Sequence, residues 1–561
     1  MDKNLKASLI KDIEPGSDSS SPNLLGIANG NLIFSTSDFP NSTSTELWKT
    51  DGTEAGTVLI EDLGGGSFPG GISSAVTVEG AVFFFLNIDS TISLRKTDGT
   101  KSGTTGPLDS ADRRSPSDIA NLTSFNNTAF YTGFEGSTLS KLFKIDNDTN
   151  ERIQINDEIF IRGGDPDLKN LTPVNDTLFF QATDKNIFQE PADYELWKTD
   201  GTDAGTILVK DINETDSSNP FNLTDISGTL FFTADDGSNG RELWKSDGTN
   251  SGTKLVKDIN PGQASLNLSQ LTDVNGVAYF VADDGTNGTE LWKSDGTLEG
   301  TVLVKDIIQG SGGSNPNNLT NANGTLFFTV NDGSNGTELW KSDGTDSGTA
   351  LVKDINSGEN SSNPANLTNF DGILYFTADD GSNGVELWKS DGTADGTVLV
   401  EDINPGSASS SPSDLTVFEG ELYFNADDGV NGRELWGLTE DNNNQDLILG
   451  GDSNDVLLGK EQDNIIDGLK GDDTLTGGVG KDKFVLSGDF GSDVITDFKL
   501  GEDEIVNGTD RIVLTVATIG DAVNVAFSNT GDFLQVNLNG NEQGELENYL
   551  LNIGSNQALP Y

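Results

Sequence analysis

NLTNFDGILYFTADDGSNGVELWKSDGTADGTVLVEDINPG, residues 366–406, is the stretch from which the fold can be read. Four strand-like runs are separated by turn chemistry. The first is short, around Asn366-Leu367-Thr368-Asn369-Phe370, and the second is Leu374-Tyr375-Phe376. The third is Glu386-Leu387-Trp388-Lys389 and the fourth Val398-Leu399-Val400. Between them stand DG, DDGSNG and SDGTADGT, the Asx-Gly sequences that hairpin turns select. The unit therefore reads as four antiparallel strands. Its second strand is apolar on both faces and needs cover on both sides. A stack of small sheets, each held between two neighbours, supplies that cover.

The unit recurs. ELWKSDGT or a near variant places all seven tryptophans, at 48, 197, 244, 292, 340, 388 and 436. In the gap, SLRKTDGT puts Arg95 and KLFKIDND puts Phe143 at the tryptophan position. The nine positions are spaced by 47, 48, 54, 47, 48, 48, 48 and 48 residues, so the fourth unit carries the one sizeable insertion. An open solenoid and a closed propeller both fit such a repeat. The ends of the repeat region discriminate. It opens on a fourth-strand motif, Leu9-Ile10-Lys11-Asp12-Ile13, and closes on a third strand, Arg433-Glu434-Leu435-Trp436. The opening strand is therefore expected to complete the last blade of a ring. The direct count is nine blades. Propellers commonly have about 4–8 blades, which keeps an eight-bladed ring with one displaced unit in play.

Composition narrows the chemistry. Lys and Arg number 33 against 90 Asp and Glu, a net charge of −57 that repels nucleic acid and anionic lipid and attracts divalent cations. There is no Cys and no His. Disulfides, thiolate sites, a serine–histidine triad and the usual zinc centre are excluded. The opening MDKNLKASLIKDI has no apolar core of a Sec-type signal peptide, and no 18-residue apolar run offers a membrane-spanning helix.

Within the repeats, Trp and Leu of ELW are expected to pack blade against blade. The adjoining Glu46, Glu195, Glu242, Glu290, Glu338, Glu386 and Glu434 read as a repeated hydrogen-bond or ion partner, since catalysis needs one asymmetric site. The acidic hairpin loops are either Asx turns or weak calcium sites, with Asp235, Asp236, Asp283, Asp284, Asp379 and Asp380 as the oxygen donors. The Asn-x-Thr triplets are read as repeat elements. Units two to four have drifted furthest, with Arg113, Arg114 and the stretch Gly163-Gly164-Asp165-Pro166-Asp167. A single special ligand site would be sought there first.

After Trp436 a nine-residue period begins. In register it runs DNNNQDLIL (441–449), GGDSNDVLL (450–458), GKEQDNIID (459–467), GLKGDDTLT (468–476) and GGVGKDKFV (477–485). The template is G-G-x-G-x-D-x-U-x, with U apolar at Ile448, Leu457, Ile466, Leu475 and Phe484. Each glycine-rich half makes a tight turn, drawing on Gly450, Gly451, Gly468, Gly471, Gly477, Gly478 and Gly480. Turns alternate sides, so turn n lies on turn n+2, with calcium between them on carbonyls and the sixth-position residue of each. Those positions are Asp446, Asp455, Asn464, Asp473 and Asp482. Asp455 and Asp473 give one two-carboxylate site. Asn464 leaves the sites with Asp446 and Asp482 one charge short.

The hairpin spacing resembles that of kelch-type propellers, and ELW-x-x-DGT is similar to the family named for that repeat. The nonapeptides resemble RTX (hemolysin-type) calcium-binding repeats. GSDVITDFKLGEDEI (491–505) and the tail GELENYLLNIGSNQALPY (544–561) resemble the post-repeat block and uncleaved signal of type I secretion. These resemblances imply an all-β chain: a propeller over 7–437, a linker over 438–445, a calcium β-roll over 446–486 and a β-rich secretion region over 487–561. They imply Ca²⁺ as cofactor, export by the type I machinery and an extracellular or cell-surface location. The expected role is a non-catalytic binding or matrix protein with an extracellular glycan or cell-surface ligand, with no nucleic-acid partner and no membrane span. A cell-envelope layer protein and a carboxylate- or calcium-dependent propeller hydrolase are the alternatives.

Overall fold

The computed structural model describes residues 5–440 apart from 38–43, 66–70, 90, 113–118, 135–139, 162–170 and 186–192. It further describes 446–560 apart from 452, 460–463, 479–481, 486–492, 499–503, 508–509, 513–522, 530–532, 541–545 and 553–556. Arg113, Arg114, Gly480, the 163–167 stretch and residues 441–445 lie outside the described residues. Every described element is a β-strand. Two compact units divide the chain: Lys6–Thr439, and Glu440–Tyr561 with Met1–Leu5.

The quoted stretch forms the strands Ala365–Phe370, Ile373–Asp379, Val385–Ser390 and Val398–Glu401, hydrogen-bonded in that order. Local chemistry sets each connection. Asp371 and Gly372 both take positive φ, 51° and 82°, as a type I′ hairpin requires. In SDGT, Asp391 Oδ1 accepts the Thr393 N–H and Thr393 Oγ1, both at 2.7 Å. A Cβ at Gly396 would fall 2.1 Å from Asp391 Oδ1, so the last glycine of DGTADGT is where that carboxylate sits. Phe376 pairs with Trp388 across the second and third strands.

Both faces of the second strand are covered. Leu374, Phe376 and Ala378, each 0% exposed, pack on Phe327, Leu339 and Val352 of the preceding blade. Tyr375, on the other face, is also buried. This interface repeats from blade to blade, and truncating one such phenylalanine to alanine costs about 3–5 kcal/mol.

Nine blades can be counted among the described residues. Their first strands are Asn23–Ala28, Gly71–Val78, Ile119–Phe125, Thr172–Val174, Phe221–Ile226, Ser269–Val274, Asn317–Ala322, Ala365–Phe370 and Ser413–Phe418. Each touches the next, and the ninth touches the first, so the unit is a closed ring. Leu5–Lys11 is the outer strand of blade 9, paired with Arg433–Glu440. Phe160–Ile161, in the connection out of blade 3, bridges Ser140–Ile145 of blade 3 to Thr177–Thr183 of blade 4 and merges them into one sheet.

Candidate metal centre

The roll is built by a period of two strands per turn. Asp446–Leu449, Asn464–Asp467, Lys483–Val485 and Glu504–Asn507 form one parallel sheet. Val456–Leu458, Thr474–Thr476 and Val494–Phe498 form the other. Paired residues lie 18 apart: Ile448 with Ile466, Ile466 with Phe484, Leu457 with Leu475. Ile466, Leu475, Phe484 and Ile495 are fully buried, while Val456, Leu458 and Leu449 are exposed. Only the U positions make core. It is thin.

The turns place the sixth-position residues in two ladders. On one side the Asp455 N–H donates to Asp473 Oδ1 at 2.7 Å, and the Asp473 N–H donates to Asp493 Oδ1 at 3.0 Å. The Gly451 N–H donates to Asp455 Oδ2 at 2.6 Å. On the other side Asn464 donates to Asp482 Oδ1 from its backbone at 2.9 Å and from Nδ2 at 2.8 Å. Asp446 stands in register with Asn464. The glycines let these groups approach. A Cβ at Gly468 would lie 2.2 Å from Asp473 Oδ2, and one at Gly477 2.3 Å from Asp482 Oδ2. Gly450 faces the Gly468 carbonyl, Gly471 packs on Ser453 with φ +133°, and Gly478 has φ +97°.

Asp493 was not among the residues singled out from the repeat. It belongs to the ladder although it follows Asp473 by 20 residues instead of 18. The signal was present, because Asp493-Val494-Ile495 repeats D-x-U beyond the last full nonapeptide and Ile495 pairs with Leu475. Asp473 is 1% exposed and Asp493 0%, and the Oδ2 of each is buried with no hydrogen-bond partner. Burial, reinforced by the charge of Asp473, pushes the Asp493 carboxyl up to about 7. Two buried carboxylate oxygens without donors are the donor set a hard cation takes, with turn carbonyls completing the shell. Among the described residues no three acidic or other metal-ligating side chains converge, so such a shell depends on those carbonyls.

The acidic hairpin loops of the ring are organised differently. Asp235 Oδ1 accepts the Gly237 N–H, and Asp236 holds the amides of Ser238 and Asn239 and the Asn239 side chain. Asp283 and Asp284 do the same, as do Asp379 and Asp380. Each of these six carboxylates closes its own turn. The ELW glutamates of blades 4 to 9 are buried, and burial pushes Glu195 and Glu434 up to about 7.

Residues 449–484 are RTX calcium-binding nonapeptide repeats, in four copies. The RTX roll is therefore a calcium-binding element, and the ladder residues Asp455, Asn464, Asp473 and Asp482 fall within the matched segment while Asp446 and Asp493 flank it. No curated protein matches the chain in sequence. Among solved structures, the beta-propeller domain of the Trilobed protease from Pyrococcus furiosus is 9% identical over 58% of this chain and 95% of that one, with a TM-score of 0.33. Prolyl oligopeptidase B from Galerina marginata is 11% identical, covering 70% of this chain and 58% of its own, with a TM-score of 0.37. The acylaminoacyl peptidase of Pyrococcus horikoshii is 10% identical over 79% of this chain and 61% of that one, at 0.32. This chain spans less than two thirds of either peptidase. Scores this low carry no argument about its activity. No helix among the described residues is long and apolar enough to cross a membrane.

Proposed function

We propose that the protein is a secreted, non-catalytic binding protein: a ring of kelch-like ELWxxDGT blades followed in sequence by an RTX roll that folds when calcium arrives. The observation that carries the reading is the buried ladder of Asp473 and Asp493, each with an oxygen that no protein donor meets. Asp455 with Asp473, and Asp473 with Asp493, are the two-carboxylate steps of one side. Asp446, Asn464 and Asp482 form the weaker side, where Asn464 brings no charge and spends its amide on Asp482. Gly450, Gly451, Gly468, Gly471, Gly477 and Gly478 shape the turns, and Gly480 belongs to the same pattern in sequence. Calcium supplies the positive charge that the ladder lacks. At 100-fold above its dissociation constant, each bound ion stabilises the folded roll by about 2.7 kcal/mol.

This coupling suits export by a type I machinery. Where free calcium is low the like charges keep the roll open, and outside the cell they are neutralised. Residues 487–561 are the export segment in this reading, 438–445 the linker and 7–437 the propeller. The ring offers repeated, nearly equivalent surfaces, which favours a glycan or cell-surface ligand over one catalytic pocket. Hydrogen–deuterium exchange on the full chain tests the core of the proposal. Added Ca²⁺ is expected to protect 464–467 and 474–476 strongly, and chelation to release them. Exchange indifferent to calcium sinks the reading. Glycan-array binding with and without chelator tests the ligand class.

A further inference from the structure

The residue that precedes ELW differs from blade to blade. In blade 5 it is Arg241, whose Nη1 donates to the Asn219 carbonyl at 2.7 Å and to Thr233 Oγ1 at 3.3 Å. In blade 9 it is Arg433, whose Nη2 donates to the Ser411 carbonyl at 2.9 Å and to Ser413 Oγ at 2.6 Å. Blade 7 lies 96 residues from each and has Thr337 there. It also has Asn331 where those blades have Asp235 and Asp427, and Asn318 where blade 9 has Asp414. Blade 6 has Thr289 but keeps Asp283, and blade 8 has Val385 but keeps Asp379. Among blades 5 to 9, blade 7 alone has lost both the arginine and the hairpin acid.

A cleft of about 430 Å³ stands at that place, lined by blade 7 and the loop into blade 8. Its volume is within the roughly 300–1,000 Å³ of small-molecule sites. Asn315, Asn317 and Thr329 line it, the counterparts of the residues that hold the arginines in blades 5 and 9. Thr337 is too short to fill the space.

The amides around the cleft are fixed by bonds to their own loops. Asn317 Oδ1 accepts the Asn318 N–H and Asn331 Oδ1 accepts the Gly333 N–H, both at 2.8 Å, which leaves each Nδ2 as a free donor. Asn315, Asn318 and Asn363 spend Nδ2 on the carbonyls of Gly313, Pro364 and Ser361, which leaves each Oδ1 as a free acceptor. No Asp, Glu, Lys, Arg or aromatic residue lines the cleft, in a chain of net charge −57. An anion finds no cation there, a metal ion no carboxylate and a base no ring to stack on. Fixed donors beside fixed acceptors suit a neutral molecule whose groups do both, and hydroxyls do both.

We infer that the cleft of blade 7 binds a neutral sugar, the end residue of a glycan, through its hydroxyls. The inference rests on the proposal that the ring binds glycans, and it adds the site and the class of sugar. In blades 5 and 9 the guanidinium takes the place of that ligand.

The test is a printed array of neutral glycans ending in hexose or N-acetylhexosamine, beside sialylated and sulfated ones, probed with the full chain in Ca²⁺. The wild type is expected to bind neutral glycans. In calorimetric titration with the brightest of them, Thr337→Arg is expected to bind about tenfold more weakly or worse, as loss of two hydrogen bonds implies. Asn317→Ala, which removes a donor at an exposed position, is expected to weaken binding in the same direction. Thr289→Arg adds the same charge in blade 6, outside the cleft, and is expected to bind as the wild type does. All three should keep the thermal transition, since blades 5 and 9 accommodate arginine. Neutral-glycan binding undiminished in Thr337→Arg, or binding confined to the charged glycans, overturns the site and leaves the ring a glycan binder. A wild type that binds no glycan overturns both.

Discussion

At the scale of the residue, one amide decides which steps of the calcium ladder are strong. Asn464 occupies a position that its neighbours fill with aspartate, and its Nδ2 donates to Asp482 where a cation would otherwise sit. Affinity in oxygen sites follows the number of charged ligands. Asn464→Asp is therefore expected to tighten calcium binding by the roll, and Asp473→Asn, which touches both steps of the other side, to weaken it by about tenfold or more, roughly 1.4 kcal/mol. Calorimetric titration of the full chain reads both. Equal affinities in the two variants would show that the sixth position does not carry the ion.

At the scale of the element, the blades are tied by a lysine that the tryptophan count does not reveal. The fourth-strand lysine of one blade reaches the carbonyl of the threonine that closes the DGTxxGT turn of the next: Lys210 to Thr253, Lys257 to Thr301, Lys305 to Thr349 and Lys353 to Thr397, all at 2.7–3.0 Å. Lys11 does so to Thr57 at 2.8 Å and carries the tie across the closure. In blade 8 the residue is Glu401, and the blade it faces runs Trp436-Gly437-Leu438 with no DGT turn. Blade 1 likewise carries Glu61 at this position although blade 2 keeps its DGT turn, so the tie is not uniform around the ring. Lys353→Met keeps the stem and loses the bond, at an expected cost of about 1 kcal/mol in urea unfolding. Removing residues 5–11 strips the outer strand and this tie from blade 9 together. The ring's thermal transition is then expected to fall sharply or broaden into two. An unchanged transition would mean the closure strand is dispensable.

At the scale of the whole molecule, acid is expected to favour the ring. Glu195 and Glu434 have folded pKa values of about 7, raised chiefly by burial from the ordinary 4.5. Between those values the folded state binds more protons than the unfolded one. Their contribution is thus fully present below about pH 4.5 and is lost as pH rises through about 7. Thermal unfolding of the ring should shift to lower temperature between pH 5 and pH 8, and less so in the Glu195→Gln, Glu434→Gln double variant. A shift of equal size in the variant would assign the effect to the general charge of −57.

The chain's sequence determined a great deal unaided. Strand number, turn type, the nine-unit count and the nonapeptide register are periodic properties, and periodicity survives in one dimension because each unit repeats the same local chemistry. The RTX segment was legible for that reason, as was the strand offset that closes the ring. Three features belonged to the tertiary structure alone. Asp493 joins its ladder across a 20-residue step because the sheet, which pairs Ile495 with Leu475, sets register when the sequence period lapses. The hairpin aspartates and the ladder aspartates look alike in sequence. They differ in whether their oxygens meet amides of their own loop or lie buried without them, and only folding decides that. Thr337 reads as ordinary variation until folding sets it where Arg241 and Arg433 reach across in their own blades. Contacts between distant residues determine which polar atoms are satisfied.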